Sequence, residues 1–240
     1  MTRSGQDSVL FVHEIHSVHG DTGEAFERLL CDRWYPAVAR EDGARLVWCV
    51  RSMPGAIGYP ELITLTAVAG ATALEGLMTR VRSGDLHDDY AALDDIRVKV
   101  TTRLMKPLNF SPLAIDLAAM PTTPVDRGRS EMYIHDTVPP CPGMQRRYET
   151  AMGDFYMKTI EVEGMVIRNW AGLETIAGGG TVPENLMITH IGTAKAGADL
   201  LMMDIPRSAF EPGQWMYEAL QLRDTWTSRL VRTVPWSPID

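Results

Sequence analysis

The chain has 240 residues, of which 45% are hydrophobic and 22% charged, and this composition is typical of a globular protein rather than a disordered one. Its formal net charge is -8 and it has no cluster of lysines and arginines, so nucleic acid and anionic membranes are poor partners on electrostatic grounds. The three cysteines are widely spaced, and no apolar run has the length of a membrane span, so we expect a cytoplasmic protein.

The first half of the chain predicts the element order β-α-β-β-α-β. Residues 9–18 have the β-branched and aromatic content of a strand, and residues 22–39 carry apolar side chains at the three- and four-residue spacing of a helix. Strands are predicted over 45–52 and 61–68, on either side of a turn rich in Pro and Gly. The remaining elements are predicted helices over 72–82 and 88–103 and a last strand over 104–110.

The second half predicts the same order. A strand is expected over 131–138 and a long helix over 143–162. The remaining predicted elements are strands over 165–171, 185–191 and 230–236, with helices over 194–203 and 214–229 before the last of these. The order is that of the split βαβ, or ferredoxin-like, unit.

The two halves also match in sequence, which indicates an internal duplication. Residues 103–113 read RLMKPLNFSPL and residues 229–239 read RLVRTVPWSPI, an offset of 126 residues. Weaker matches follow the same order: Ile15-His16 with Ile134-His135, Arg33-Trp34-Tyr35 with Asp154-Phe155-Tyr156, and Thr64 with Thr189 if two residues are inserted. We therefore expect a first repeat over 1–113, a Pro-rich linker over 114–129 and a second repeat over 130–240. The predicted fold class is α+β, with two fused ferredoxin-like repeats whose antiparallel sheets pack as an α/β barrel.

A duplicated unit of this kind resembles the dimeric α/β-barrel superfamily, fused in one chain. The Phe/Trp-Ser-Pro sequences at 110–112 and 236–238, together with the Trp-rich helix predicted before the second, resemble the NIPSNAP-like branch. The superfamily includes cofactor-independent monooxygenases, small-molecule isomerases, polyketide cyclases and heme-binding enzymes. The resemblance implies a ligand cavity between the sheet and its helices or within the barrel, and it does not choose the reaction.

One local resemblance is more specific. His87 is followed three residues later by Tyr90, at the start of the helix that leads into the last strand of the first half. In polyketide-cyclase-like members, a histidine with an aromatic residue at this spacing acts as the base, which implies that role for His87. The corresponding part of the second half has no histidine, so the resemblance implies one working pocket. His87 fits a surface position at a helix start equally well.

Strand alternation predicts which other side chains face the pocket. In the first strand of the second half, Tyr133 and His135 share a polar face, whereas the apolar face is expected to meet the helices. The Ile-His match carries this polar face to Glu14 and His16 in the first half. The later strands of the second half add Arg168, Trp170 and His190.

These patterns predict an enzyme of small-molecule, and specifically secondary-metabolite, metabolism that works without a cofactor or a metal. The predicted catalytic residues are His87, His135, Tyr133 and His16, and the predicted substrate-binding residues are Glu14, Arg168, Trp170, His190 and Tyr90. Since histidine titrates near neutral pH, the expected reaction is cyclisation, isomerisation or elimination by proton transfer on an apolar or aromatic substrate.

Three alternatives stay open. The first is cofactor-free oxygenation of an electron-rich aromatic compound, and the second is non-catalytic binding or sequestration of a metabolite. The third is heme binding, with His135 or His190 as the axial ligand. A shared metal at His13, His16 and His19 is not expected, because residues three apart on a strand point to opposite faces. The chain is expected to be a monomer or a homodimer.

Overall fold

The computed structural model describes residues 9–157, 167–179 and 183–239. Its main elements in chain order are β1 Leu10–Val18, α1 Gly23–Leu29, α2 Tyr35–Val38, β2 Ala44–Ser52, β3 Glu61–Val68, α3 Gly70–Ser83, α4 His87–Asp94, β4 Arg97–Pro107, β5 Met132–Val138, α5 Gln145–Ala151, β6 Arg168–Gly178, β7 Asn185–Gly192, α6 Ala194–Leu201, α7 Trp215–Leu220 and β8 Thr227–Thr233. A π-helical turn continues α1 into α2, and another extends α5 to residue 156. Residues 158–162 of the predicted long helix and 165–166 of the predicted strand lie outside the described residues.

The chain divides into two compact units. Unit 1 comprises residues 1–106, 114–130 and 232–240, and unit 2 comprises residues 107–113 and 131–231. In unit 1, β1 lies between β3 and β4, and β3 also pairs with β2, all antiparallel. In unit 2, β7 lies between β5 and β6, again antiparallel. The strand order β1-β3-β2-β8-β5-β7-β6-β4 is that of a closed barrel, which confirms the predicted α+β fold class.

Two predicted helices are too long. The helix predicted over 88–103 ends at Asp94, and residues from Arg97 onward form β4. The helix predicted over 214–229 ends at Leu220, and β8 begins at Thr227. Residues 98–102 read VKVTT, and this β-branched run favours a strand that pairs with β1 over another helical turn.

The face of β1 that carries Glu14 and His16 meets the helices of unit 1. Val12, on that face, lies in one apolar core with Phe26 and Leu30, and the His16 ring centroid is 5.1 Å from that of Phe26. The prediction that the opposite, apolar face would meet the helices is therefore wrong for this unit. Both faces of the strand are buried here, so an apolar pattern on one face does not identify the helix side.

In unit 2, the helices cover the face of β5 that ends with Val138. Val138 lies in one core with Tyr148 and Met152 of α5 and its π-helical turn. Because side chains alternate along a strand, Tyr133 and His135 lie on the opposite face. The predicted polar faces of the two repeats therefore do not correspond to each other.

The tail of the first repeat packs in unit 2. The Leu108 N–H donates to the Gly172 carbonyl at 2.9 Å, and the Gly172 N–H donates to Ser111 Oγ at 3.0 Å. The Phe110 ring lies against Gly153 and Gly172, where an added Cβ would approach the ring to 3.0 and 3.2 Å. Glycine at these positions therefore makes room for the ring.

The tail of the second repeat packs in unit 1 in the same way. The Val234 N–H donates to the Cys49 carbonyl at 3.1 Å, and the Cys49 N–H donates to Ser237 Oγ at 3.1 Å. The Trp236 ring packs against Tyr35, with centroids 6.1 Å apart. The duplicated Ser-Pro sequence is thus explained by one repeated contact, in which the serine hydroxyl accepts a backbone N–H of a strand in the other repeat.

These contacts fix which residues of the two repeats are equivalent. Cys49 and Gly172 make the same contact with the serine of a tail, so they occupy equivalent positions. In unit 1, Cys49 pairs with Thr64 of β3, which pairs with Glu14 of β1. In unit 2, Gly172 pairs with Met187 of β7, which pairs with Asp136 of β5. Glu14 and Asp136 are therefore equivalent, 122 residues apart. The predicted match of Ile15-His16 with Ile134-His135 has an offset of 119, so it differs from the structural alignment by three residues. The structural alignment pairs Thr64 with Met187 instead of Thr189, so the predicted insertion of two residues is not needed.

Candidate active site

Glu14 is a buried carboxylate at the centre of unit 1, with only 6% of its surface exposed. Its Oε1 accepts hydrogen bonds from the Tyr90 hydroxyl at 3.5 Å and from Thr102 Oγ1 at 3.3 Å. Burial raises the pKa of Glu14, although the Arg97 charge and the two hydroxyls oppose this shift. Among the described residues both hydrogen bonds go to Oε1, so Oε2 keeps its lone pairs for a proton.

His16 stands on the same face of β1, and its tautomer follows from its neighbours. Its Nδ1 lies 3.1 Å from Arg97 Nη1, and its Nε2 lies 3.1 Å from Thr64 Oγ1. A guanidinium can only donate, so Nδ1 accepts and the ring proton sits on Nε2. Burial lowers the pKa of His16 to about 3, and the Arg97 charge adds to this effect. The ring is therefore a neutral donor at Nε2.

We expect His16 to stay neutral throughout the physiological pH range. Long-range ¹H–¹⁵N spectra should show the Nε2–H tautomer from pH 5 to 8, because its pKa of about 3 lies below this window. As pH falls from 6.5 towards 3, the unfolded chain takes up a proton that the native ring refuses, so the His16 contribution to the free energy of unfolding decreases. Doubly protonated ¹⁵N shifts for His16 at pH 6 would contradict this assignment.

Arg97, the first residue of β4, supplies the positive charge of the site. Its Nε donates to Asp94 Oδ1 at 2.7 Å, and its Cζ lies 4.4 Å from the centroid of the Tyr90 ring. Only 6% of its surface is exposed. A buried guanidinium next to a carboxylate and a neutral imidazole can stabilise negative charge that develops on a bound molecule.

The cluster reaches the surface on one side. Thr102 is exposed and Tyr90 is half-buried, so both residues that donate to Glu14 reach the surface. Unit 1 also has a cavity of about 630 Å³ lined in part by Glu27, Cys31 and Trp236, and it shares no residue with this cluster.

Three of these residues, Glu14, His16 and Tyr90, are predicted from the sequence as site residues, and the structure brings them together. Arg97 and Thr102 are not among the predicted site residues, since both fall in a segment predicted as helix. The signal was present, because the offset of 126 extends from the Arg-Leu match back to Thr102 with Ser228 and to Arg97 with Arg223.

His87 lies apart from the cluster. It is the first residue of α4, its side chain is exposed, and its Nδ1 lies 3.3 Å from the Val81 carbonyl. The prediction that it faces enclosed space is wrong, because α4 turns Tyr90 and Leu93 inward and leaves His87 exposed.

The other predicted residues form a second group in unit 2. The Tyr133 ring centroid lies 4.9 Å from that of His190 and 6.0 Å from that of Trp170, and His190 Nε2 lies 3.2 Å from Glu131 Oε2. His135 is fully buried on the face of β5 that carries Tyr133. The structure thus assembles these aromatic residues on the face of the sheet away from the helices of their own unit.

Arg168 does not join this group. Its side chain is exposed while Asn169 is buried, so the prediction that Arg168 points inward is wrong. The register of β6 against β7 shifts between Asn169 and Ala171, and this irregularity breaks simple alternation.

Within the described part of the chain, no three or more His, Cys, Asp or Glu side chains lie together in a group that could hold a metal ion. No helix there has the length and apolar character that a membrane span requires.

Comparison with known proteins shows the fold and not a family. No family model matches the chain, and no curated protein matches it in sequence. Among solved structures, an anthrone oxidase-like protein superposes with a TM-score of 0.65 and 13% identity, over 95% of this chain and 92% of that one.

Other similar structures are enzymes by name. A protein from Lactobacillus acidophilus NCFM, provisionally assigned as a monooxygenase, has a TM-score of 0.57 and 10% identity, over 94% of both chains. Chlorite dismutase from Candidatus Nitrospira defluvii has a TM-score of 0.54 and 7% identity, over 97% of this chain and 93% of that one. The resemblance to the NIPSNAP-like branch stays a prediction.

Proposed function

We propose that unit 1 contains the active site of a cofactor-free monooxygenase. Its substrate is a small aromatic ketone or phenol with an acidic C–H bond. Glu14 carries this proposal, because a buried carboxylate with a raised pKa and an uncommitted oxygen is suited to removing such a proton. The named activity of the anthrone oxidase-like structure supports anthrone as the test substrate.

The first step is a proton transfer. Glu14 Oε2 takes a proton from the methylene carbon of anthrone, and the electron pair of that C–H bond moves into the ring system to give an enolate. Arg97 lies next to the carboxylate and stabilises the negative charge on the enolate oxygen. Tyr90 and Thr102 keep Oε1 occupied, so Oε2 is the oxygen that faces the substrate.

The second step uses dioxygen as the oxidant. The enolate gives up two electrons to dioxygen, a carbon–oxygen bond forms, and the resulting peroxide takes the proton from Glu14. The oxygen–oxygen bond then breaks as the second methylene proton leaves, which gives a carbonyl group and one molecule of water. Each turnover thus converts one anthrone and one dioxygen into one anthraquinone and one water.

His16 positions this machinery rather than acting as the base. Because its ring is neutral with Nδ1 accepting from Arg97, it holds the guanidinium without adding a second positive charge. Thr64 fixes the other side of the ring. The base predicted from the sequence was a histidine, and we propose that it is the neighbouring carboxylate instead.

Oxygenation is favoured over cyclisation or isomerisation because the similar structures include proteins named for oxidation of this kind. The three reactions share the same initial proton transfer and differ in their need for oxygen. A metabolite-binding protein would bind the aromatic compound and leave it unchanged.

The test is oxygen consumption with anthrone as substrate. An oxygen electrode measures the dioxygen used, and absorbance measures the anthraquinone formed. The expected result is one dioxygen per anthraquinone, with no turnover under argon and no change after treatment with a metal chelator. Conversion of a substrate under argon would favour the isomerase alternative, and binding without any conversion would favour the sequestration alternative.

A further inference from the structure

The carboxylate–hydroxyl–arginine group of unit 1 has a counterpart in unit 2. Glu14 is equivalent to Asp136 by strand pairing, and the offset of 126 pairs Thr102 with Ser228. The Ser228 side chain hydrogen-bonds Asp136, as Thr102 does Glu14. Arg97 corresponds at the same offset to Arg223, whose charge acts on Asp136.

The partners that satisfy the arginine in unit 1 are absent from the equivalent positions in unit 2. Arg97 binds His16 and Asp94. The corresponding residues of unit 2 are Val138 and Leu220, which are apolar. Arg223 therefore keeps a buried charge without the imidazole and carboxylate that surround its counterpart.

Two of these residues each have a buried atom that lacks a hydrogen-bond partner among the described residues. Only 6% of Arg223 is exposed, and its Nε has no hydrogen-bond partner among the described residues. Oδ1 of Asp136 is buried and likewise lacks a partner within the described part of the chain. Since an unsatisfied buried polar group is costly, both point to a ligand that supplies the missing partners.

Aromatic rings lie beside the Arg223 guanidinium. The Arg223 Cζ lies 3.9 Å from the Trp226 ring centroid and 5.9 Å from that of Trp215. Trp215 also contacts Tyr148 and Tyr156, with ring centroids 5.7 and 5.1 Å away. Ser228 is exposed, as Thr102 is, so the group reaches the surface at the same place in the repeat.

We propose that unit 2 contains a second ligand site, built on Asp136, Arg223 and Ser228, which binds a neutral aromatic compound carrying a hydroxyl beside a ketone. The hydroxyl donates to Asp136 Oδ1, and the ketone oxygen accepts from Arg223 Nε. A neutral ligand is preferred because the charges of Asp136 and Arg223 already balance. The site binds without turnover, because it lacks an equivalent of His16 to hold its arginine and its carboxylate is one methylene shorter. The ligand class rests on the proposed function of unit 1, whereas the site itself rests on the geometry of unit 2.

The test is the number of molecules of 1,8-dihydroxyanthraquinone bound per chain, measured by equilibrium dialysis and visible absorption. We expect two for the wild-type protein and one for Arg223→Met. Asp136→Asn should weaken the second site by about tenfold or more, since hydrogen bonds to charged groups are the strong ones. Arg207→Met, an exposed arginine in the same unit, is the matched control and should still bind two.

The outcomes separate the two proposals. A single bound molecule in the wild type, or two retained in a folded Arg223→Met protein, would overturn the second site. Anthrone oxidation with one bound molecule per chain would support the proposed function and overturn the second site. Two bound molecules per chain without oxygen consumption would support the second site and overturn the proposed function. If Arg223→Met does not fold, the same comparison is made with Asp136→Asn, whose side chain keeps its size.

Discussion

Replacing Glu14 with Gln is expected to lower kcat for anthrone oxidation by about 10²- to 10⁴-fold, the usual contribution of a positioned general base. The amide keeps the shape of the side chain and can still accept from Tyr90 and Thr102, so substrate binding should change little. It cannot take up the substrate proton. Since desolvation already opposes ionisation of Glu14, removing its charge should not lower the thermal stability.

The measurement is kcat and KM from oxygen uptake, with the melting temperature as a check on folding. Glu24→Gln is the control, since Glu24 is exposed on α1 and its contact with Arg28 is a long i,i+4 ion pair of 4.0 Å. In the wild type, kcat/KM should fall as pH drops through the raised pKa of Glu14, because the base must be deprotonated. Full turnover in a folded Glu14→Gln protein would exclude Glu14 as the base.

Replacing Trp236 with Ala is expected to lower the free energy of unfolding by about 3 to 5 kcal/mol, the usual cost of removing a large buried aromatic side chain. Trp236 is only 7% exposed, packs on Tyr35 and hydrogen-bonds Glu27. Its loss should therefore release the tail of the second repeat from unit 1. Urea unfolding followed by far-UV circular dichroism gives the change in midpoint.

Phe210→Ala provides the comparison, since 44% of Phe210 is exposed and such surface changes cost about 0.5 kcal/mol or less. Trp236→Phe keeps most of the packing but removes the indole N–H. Its unfolding midpoint should therefore lie between those of Trp236→Ala and Phe210→Ala. Equal midpoints for Trp236→Ala and Phe210→Ala would mean that the tail of the second repeat contributes little to the stability of unit 1.

The sequence was a good guide to the fold because the duplication and the element order are both local signals. The Ser-Pro tails were recognised as a repeat before their role was known, and the structure explains them by the contacts of Ser111 and Ser237 with strands of the opposite repeat. Where those tails pack could not be predicted, since nothing in a matching pair of sequences says which copy each one touches.

The site was harder to predict for two physical reasons. Arg97 follows a genuine helix, and only pairing with β1 makes its segment a strand, so the tertiary structure decided where local propensity was ambiguous. The inward face of β1 carries Glu14 and His16 among apolar residues, and both faces of the strand are buried. Alternation shows which residues share a face, and only the structure shows what each face meets.

The packing of the tail of the second repeat on β2 has a consequence for synthesis on the ribosome. Cys49 is synthesised long before Val234 and Ser237, which hydrogen-bond its backbone. Val234 lies 185 residues after Cys49. At about 5 to 20 residues per second, β2 therefore waits about 10 to 40 seconds for this segment. Until then the edge of β2 has unpaired backbone groups, so a nascent chain stalled in its second half would present a strand edge open to aggregation.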